Sequence, residues 1–124
     1  MIIENIRVSK KGRDQLIRLK RKTGIKTWNV LCRWALLKSL SEVTAPPVHP
    51  ISLDSNLEMT WKTFVGPHGT LYSALIKQRL LDDGINITTE NLAQQFVLHL
   101  HRGISYAVGV SELVELIANA RHCS

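Results

Sequence analysis

The sequence predicts a mainly α fold, about five helices with one or two short strands in a single domain, opening on a basic strand-helix-helix unit. Three observations predict it. Apolar runs with helical spacing are punctuated by Ser or Thr before them and Gly after them, as helix caps require. Alternating apolar and polar residues, the mark of a strand, occur only in brief segments. A chain of 124 residues, 44% hydrophobic and 21% charged, is long enough to bury one core and too ordinary in composition for a disordered linker. The domain divides into a basic unit at 1–40, a Pro-containing connector at 41–56 and a helical remainder at 57–124.

Residues 2–8 read as an extended segment with Ile2, Ile6 and Val8 on one face, after which Ser9 caps a helix that ends at Thr23 before Gly24. Thr27 is positioned to cap a second helix from Trp28 to about Leu40. Its apolar residues occupy nearly the whole circumference, which predicts burial on all sides, as a central helix and a subunit interface through Trp28, Leu31, Trp34 and Leu37. Pro46, Pro47 and Pro50 break the chain into a connector. Leu57 to Phe64 alternates through Trp61, as a short strand would, and 66–69 turns the chain. Thr70 is then the expected cap of a third helix, carrying Leu71, Leu75 and Leu81 and stopped by Asp82-Asp83-Gly84. Thr89 opens a fourth that Gly103 ends, and Ser111 a fifth through Leu113, Leu116 and Ile117.

Charge carries the first functional signal. Residues 1–40 hold eleven Lys and Arg against Glu4 and Asp14, a local charge of +9, while the remaining residues sum to −3. So local a patch attracts a polyanion by releasing its condensed counterions, and nucleic acid is the partner it fits. On a helical projection Lys10, Lys11, Arg18, Arg21 and Lys22 share one side around Asp14, with Leu16, Ile17 and Leu19 across from them. Arg7 and Lys26 flank the same helix. A membrane surface would need a broad apolar face with aromatic anchors, and this helix has neither. The bland alternative is a solvated face with Asp14 paired to Lys10 and Arg18 at i±4. Lys20 and Arg13 project nearer the apolar seam and are expected to snorkel.

No apolar run approaches the roughly 20 residues that span a bilayer. Cys32 and Cys123 lie far apart with no pairing pattern, and no signal peptide is recognisable, so both thiols are expected reduced in a soluble, cytoplasmic protein. His99-Leu100-His101 with Tyr106 downstream invites comparison with metal-dependent nicking endonucleases. That chemistry needs both imidazoles on one face, as in a strand, whereas this stretch reads as helix. Packing is the expected role of one imidazole, and a solvent or carbonyl contact that of the other. With no zinc set and no phosphate-binding loop, the sequence predicts no catalytic residue, no metal and no cofactor.

Several segments are similar to one family. Asp14-Gln15-Leu16-Ile17-Arg18-Leu19-Lys20-Arg21-Lys22-Thr23-Gly24-Ile25 and Thr27-Trp28-Asn29-Val30-Leu31-Cys32-Arg33-Trp34-Ala35 resemble DndE of the DNA phosphorothioation (DNA sulfur modification) system. So do Leu53-Asp54-Ser55-Asn56, Met59-Thr60-Trp61-Lys62-Thr63-Phe64 and His99-Leu100-His101-Arg102-Gly103-Ile104, in order along nearly the whole chain. The resemblance implies a helical component of a bacterial gene cluster that replaces a non-bridging phosphate oxygen of DNA with sulfur. It further implies a homotetramer that binds DNA, nicked duplex in particular, while partner proteins of the system carry out sulfur mobilisation and the ATP-dependent steps. Residues 1–40 also resemble a ribbon-helix-helix unit, in which strands of a dimer read bases in the major groove. Asn5 and Arg7 would be the only useful base readers, which leaves a sequence-specific regulator as the runner-up.

Overall fold

Ser9 fixes the start of the first helix, since its hydroxyl accepts the Gly12 N–H at 3.0 Å. The structure is a computed structural model that describes residues 3–122, so the readings made for Ile2 and Cys123 lie outside the described residues. Strand β1 (Asn5–Arg7) leads into α1 (Lys10–Thr23). At its end Gly24 adopts φ 73° and donates its N–H to the Lys20 carbonyl, a left-handed cap that suits glycine because a Cβ would be strained there. Gly12, Gln15, Leu16 and Leu19 form the buried side, and Ile17 is only half-buried, so the seam lies further round the helix than aliphatic residues alone indicated.

Helix α2 (Trp28–Leu40) follows, and the Thr27 side chain makes no capping bond. Leu31, Cys32, Ala35, Leu36 and Ser39 are buried, whereas Trp34 is 68% and Leu37 41% exposed, so α2 is covered on one side only within the chain. Its orphan carboxy-terminal carbonyls are collected by two arginines. Arg79 donates to the carbonyls of Leu40 (3.1 Å), Glu42, Val43 (3.2 Å) and Thr44 (2.8 Å), and Arg102 to those of Ser39 (2.9 Å) and Thr44 (2.8 Å). Cations here satisfy acceptors and favour the negative end of the helix dipole.

Strand β2 is shorter than alternation indicated. It spans Glu58–Thr60 and pairs antiparallel with β1 in the register Asn5↔Thr60, Ile6↔Met59, Arg7↔Glu58. Thr60 then caps α3 (Trp61–Val65) through a bond from the Thr63 N–H at 3.1 Å, a cap that ends the strand before Trp61. The chain turns through a 3-10 segment, Gly66–His68, into α4 (Gly69–Asp82), so Thr70 lies inside a helix that it does not cap. Tyr72, Ile76 and Leu80 face the core, while Leu71, Leu75 and Leu81 are exposed.

The largest correction concerns the remainder. In place of two helices broken at Gly103, α5 (Thr89–His122) runs without interruption, and its first turn is held by Thr88, whose hydroxyl accepts the Asn91 N–H at 3.1 Å. Gly103 has another purpose. A Cβ there would lie 1.7 Å from the Ala35 carbonyl oxygen, so α2 and α5 cross backbone to backbone, which only glycine permits. Helix α5 is the spine: α1, α2 and α4 all pack on it, most extensively α2. Leu92, Phe96, Leu100, Ile104 and Val108 supply its share of the core, and Phe96 meets Phe64 edge-on at 5.5 Å.

Candidate nucleic-acid interface

All seven cations singled out from the sequence are exposed: Arg7 on β1, then Lys10, Lys11, Arg18, Arg21 and Lys22 along α1, and Lys26 in the turn after it. They are exposed because the opposite side of α1 is pinned to α5. The Ser9 N–H donates to His101 Nε2 at 3.0 Å, the His101 ring lies 3.2 Å from where a Gly12 Cβ would sit, and Gln15 Nε2 donates to Ser105 Oγ at 3.3 Å. Lys20 lies off this face, its ammonium 4.4 Å from the centre of the Trp28 ring, and Arg13 is half-buried, as the snorkelling expectation had it.

The anions that meet this face are not those adjacent in sequence. Asp14 makes no ion pair with Lys10 or Arg18 among the described residues. Arg18 instead pairs with Glu112 at 3.2 Å and Lys22 with Glu115, both from the outer part of α5, and Arg7 pairs with Glu58 across the ribbon at 2.7 Å. Lys10, Lys11, Arg21 and Lys26 carry no ion pair among the described residues, and together they form the open cationic surface. Of the four residues assigned to a subunit interface, Trp34 and Leu37 are exposed, Trp28 is half-buried, and Leu31 is committed to the chain's own core. Trp34 also lines an apolar groove of about 940 Å³ with Leu19, Ile25, Val110 and Val114.

The two histidines are structural. They lie two residues apart on a helix, hence about 200° round its axis, and do not face a common point. His101 bonds through both nitrogens: Nδ1 lies 2.8 Å from the Val97 carbonyl and must donate to it, which leaves Nε2 to accept from Ser9. His99 is 1% exposed with Nδ1 2.8 Å from Ser39 Oγ, which also accepts from Arg102 Nε at 2.8 Å. Burial, followed by the charges of Arg102 and Arg79, pushes its pKa down to about 4. Burial also lowers that of His101. Tyr106 sits under the Arg102 guanidinium, 5.8 Å from ring centre to carbon. Cys32 is fully buried and its thiol is pushed up to about 12, which keeps it protonated and inert. No three metal-ligating side chains converge among the described residues, and no described helix is long and apolar enough to cross a membrane.

Arg79 and Arg102 lie outside the basic unit of residues 1–40. Their work as clamps on the α2 terminus has no local signature, since their partners lie 35 to 63 positions away. Glu112 and Glu115 were equally invisible as partners of α1, 94 and 93 positions distant.

Fold and surface together define a small helical domain with an open cationic face, in which His99 and His101 are hydrogen-bonded within the fold and point to different sides of α5. A profile described as "DndE: DNA sulphur modification protein DndE" matches residues 5–114, and the chain belongs to that family. Two solved structures are similar. DndE from Escherichia coli B7A, described as involved in DNA phosphorothioation modification, is 24% identical over 86% of this chain and 97% of its own, with a TM-score of 0.72. A DndE mutant described as involved in DNA phosphorothioation is 21% identical over 83% of this chain and 94% of its own, with a TM-score of 0.65. At those identities the likeness is one of fold. No curated protein matches the chain.

Proposed function

We propose that this chain is a non-catalytic, DNA-binding component of a bacterial DNA phosphorothioation system, acting in the cytoplasm as a homotetramer that holds backbone phosphates and leaves sulfur chemistry to partner proteins. The observation that carries the reading is the open cationic surface of α1, with Lys10, Lys11 and Arg21 exposed and without an ion pair among the described residues, and Lys26 beyond the cap. Side chains on the solvent side of a helix pinned from behind suit phosphates, which position a duplex without reading it. The ribbon-helix-helix alternative is less favoured, because β1 pairs with β2 of the same chain and its Arg7 with Glu58. A nickase would require His99 and His101 to leave the bonds that hold α5 to α1 and α2. The preference for nicked duplex follows from the family resemblance, and tetramer formation is supported by the exposed apolar residues of α2 and α5.

Competition among nicked, intact and single-stranded DNA of identical sequence tests the substrate class, with unrelated sequences as a second axis. Lys10→Glu with Arg21→Glu should weaken binding on every sequence and flatten the dependence of log K on log salt by about 0.9 per lost contact. Lys62→Glu with Lys77→Glu, exposed cations on other elements, is the control. Equal losses in the two variants would show a diffuse positive field with no site on α1. The same protein with Mg²⁺ or Mn²⁺ should leave supercoiled plasmid intact, and nicking that disappears in Tyr106→Phe would overturn the non-catalytic reading.

A further inference from the structure

We propose that Glu112 and Glu115 form a built-in competitor for DNA phosphates at the cationic face of α1, an autoinhibitory contact that rests on the DNA-backbone reading above. The two carboxylates lie one turn apart on α5 and meet two cations one turn apart on α1, Arg18 at 3.2 Å from Glu112 and Lys22 beside Glu115. The arrangement is a ladder of two rungs between helices, not an accident of neighbouring sequence.

The carboxylates have no other use on their own helix. No Lys or Arg stands three or four positions from either, and placed at i and i+3 they repel each other. The cations of α1 offset that repulsion. All four side chains are at least 31% exposed, so each pair is weak enough to exchange for a phosphate. Phosphates arriving at Arg18 and Lys22 would meet two carboxylates at contact distance and must displace them. Where α5 holds them is also where it leaves the body. From 109 to 120 no residue of α5 is buried, Val108 being the last before them, and nothing lies within 4 Å of a Cβ built on Gly109. The outer helix is thus placed to hold Arg18 and Lys22, at the edge of the cationic face, when DNA is absent and to yield when DNA binds.

The test measures binding of a fluorescent nicked duplex across a salt series by the full-length wild type, by E112Q/E115Q, and by D82N/E90Q, which removes the same charge far from α1. Freed of competition, E112Q/E115Q should bind about tenfold more tightly at low salt, and its log K against log salt should steepen by about 1.8 as two more contacts form. The control should stay within about twofold of wild type. Equal gains in the two variants, or a loss in E112Q/E115Q, would overturn the competitor. Binding by K10A/K11A/R21A separates the two ideas. If that variant loses affinity while E112Q/E115Q gains no more than its control, the DNA reading stands and the competitor falls. If no variant binds duplex, both fall.

Discussion

The two parts of α5 are one helix in two environments. From 89 to 108 it is the spine of the core, with Phe96, Leu100 and Ile104 buried and Gly103 in backbone contact with α2. From 109 to 120 every residue is exposed except Ser111, including Val110, Leu113, Val114, Leu116 and Ile117. Composition does not separate them, since both are rich in aliphatic residues. The difference is cover: the inner part gains its stability from tertiary burial, and the outer part hangs on an apolar groove edge and two ion pairs. An apolar helix face is therefore a demand for a partner and does not say whether that partner belongs to the same chain.

Substitutions in the inner part should have the largest effect. Gly103→Ala puts a methyl into the Ala35 carbonyl and should cost about 3 kcal/mol or more, read as a lowered urea midpoint. A wild-type midpoint would mean that the helices separate freely there. Next is Arg79→Ala. It removes the donor from the carbonyls of Leu40, Glu42 and Val43, leaves Thr44 with Arg102 alone, and leaves Asp83, which is 11% exposed, without its cation, and about 2–4 kcal/mol of destabilisation is expected in the same assay.

Acid should then attack the same inner segment. The folded pKa of His99 lies at about 4, below its ordinary 6.5, and that of His101 is lowered too, so the folded state binds fewer protons than the unfolded one. The contribution of His99 is fully present above about pH 6.5 and is lost as pH falls through about 4, and that of His101 is lost in the same direction. His99 alone accounts for about 3 kcal/mol across that window. Urea titrations at pH 7.5 and 4.5 check this, and His99→Asn, which keeps a polar atom near Ser39, should remove much of the slope.

The smallest folding effect belongs to the outer part. Leu113→Glu with Leu116→Glu, both exposed, should change the stability of the monomer by no more than about 0.5 kcal/mol while lowering the mass measured by light scattering. An unchanged tetramer mass would place assembly elsewhere, and a wild type that is already monomeric at micromolar concentration would remove the interface.

What could be read from the sequence was chemistry confined to a few neighbours. Ser9 and Gly24 bracket α1 because capping bonds reach only three or four residues, and the exposed cations follow from helical periodicity. Five helices are expected and five are present among the described residues, but they are not the same five: α5 runs through Gly103 without a break, and the short helix capped by Thr60 has no signal in the alternation around it. A glycine inside a helical pattern marks either an end or a close approach, and only the presence of Ala35 decides between them. Strand alternation through Trp61 was similarly outweighed by a capping bond. In the candidate site, identity and exposure of the cations were legible. Their partners Glu112 and Glu115 were not, since nothing local ties residue 18 to residue 112.

The bond from the Ser9 N–H to His101 joins residues 92 positions apart, and this bears on how the chain leaves the ribosome. The whole of β1, α1 and α2 emerges before any of α5 exists. At about 5–20 residues per second, several seconds pass between the synthesis of Ala35 and that of Gly103. Throughout that interval Leu16, Leu31 and Leu36, all buried in the finished protein, lack the cover that α5 supplies, while the same stretch carries most of the positive charge. Such a stretch is a cationic hairpin with its apolar seam incomplete, and like charge of this kind opposes association between chains.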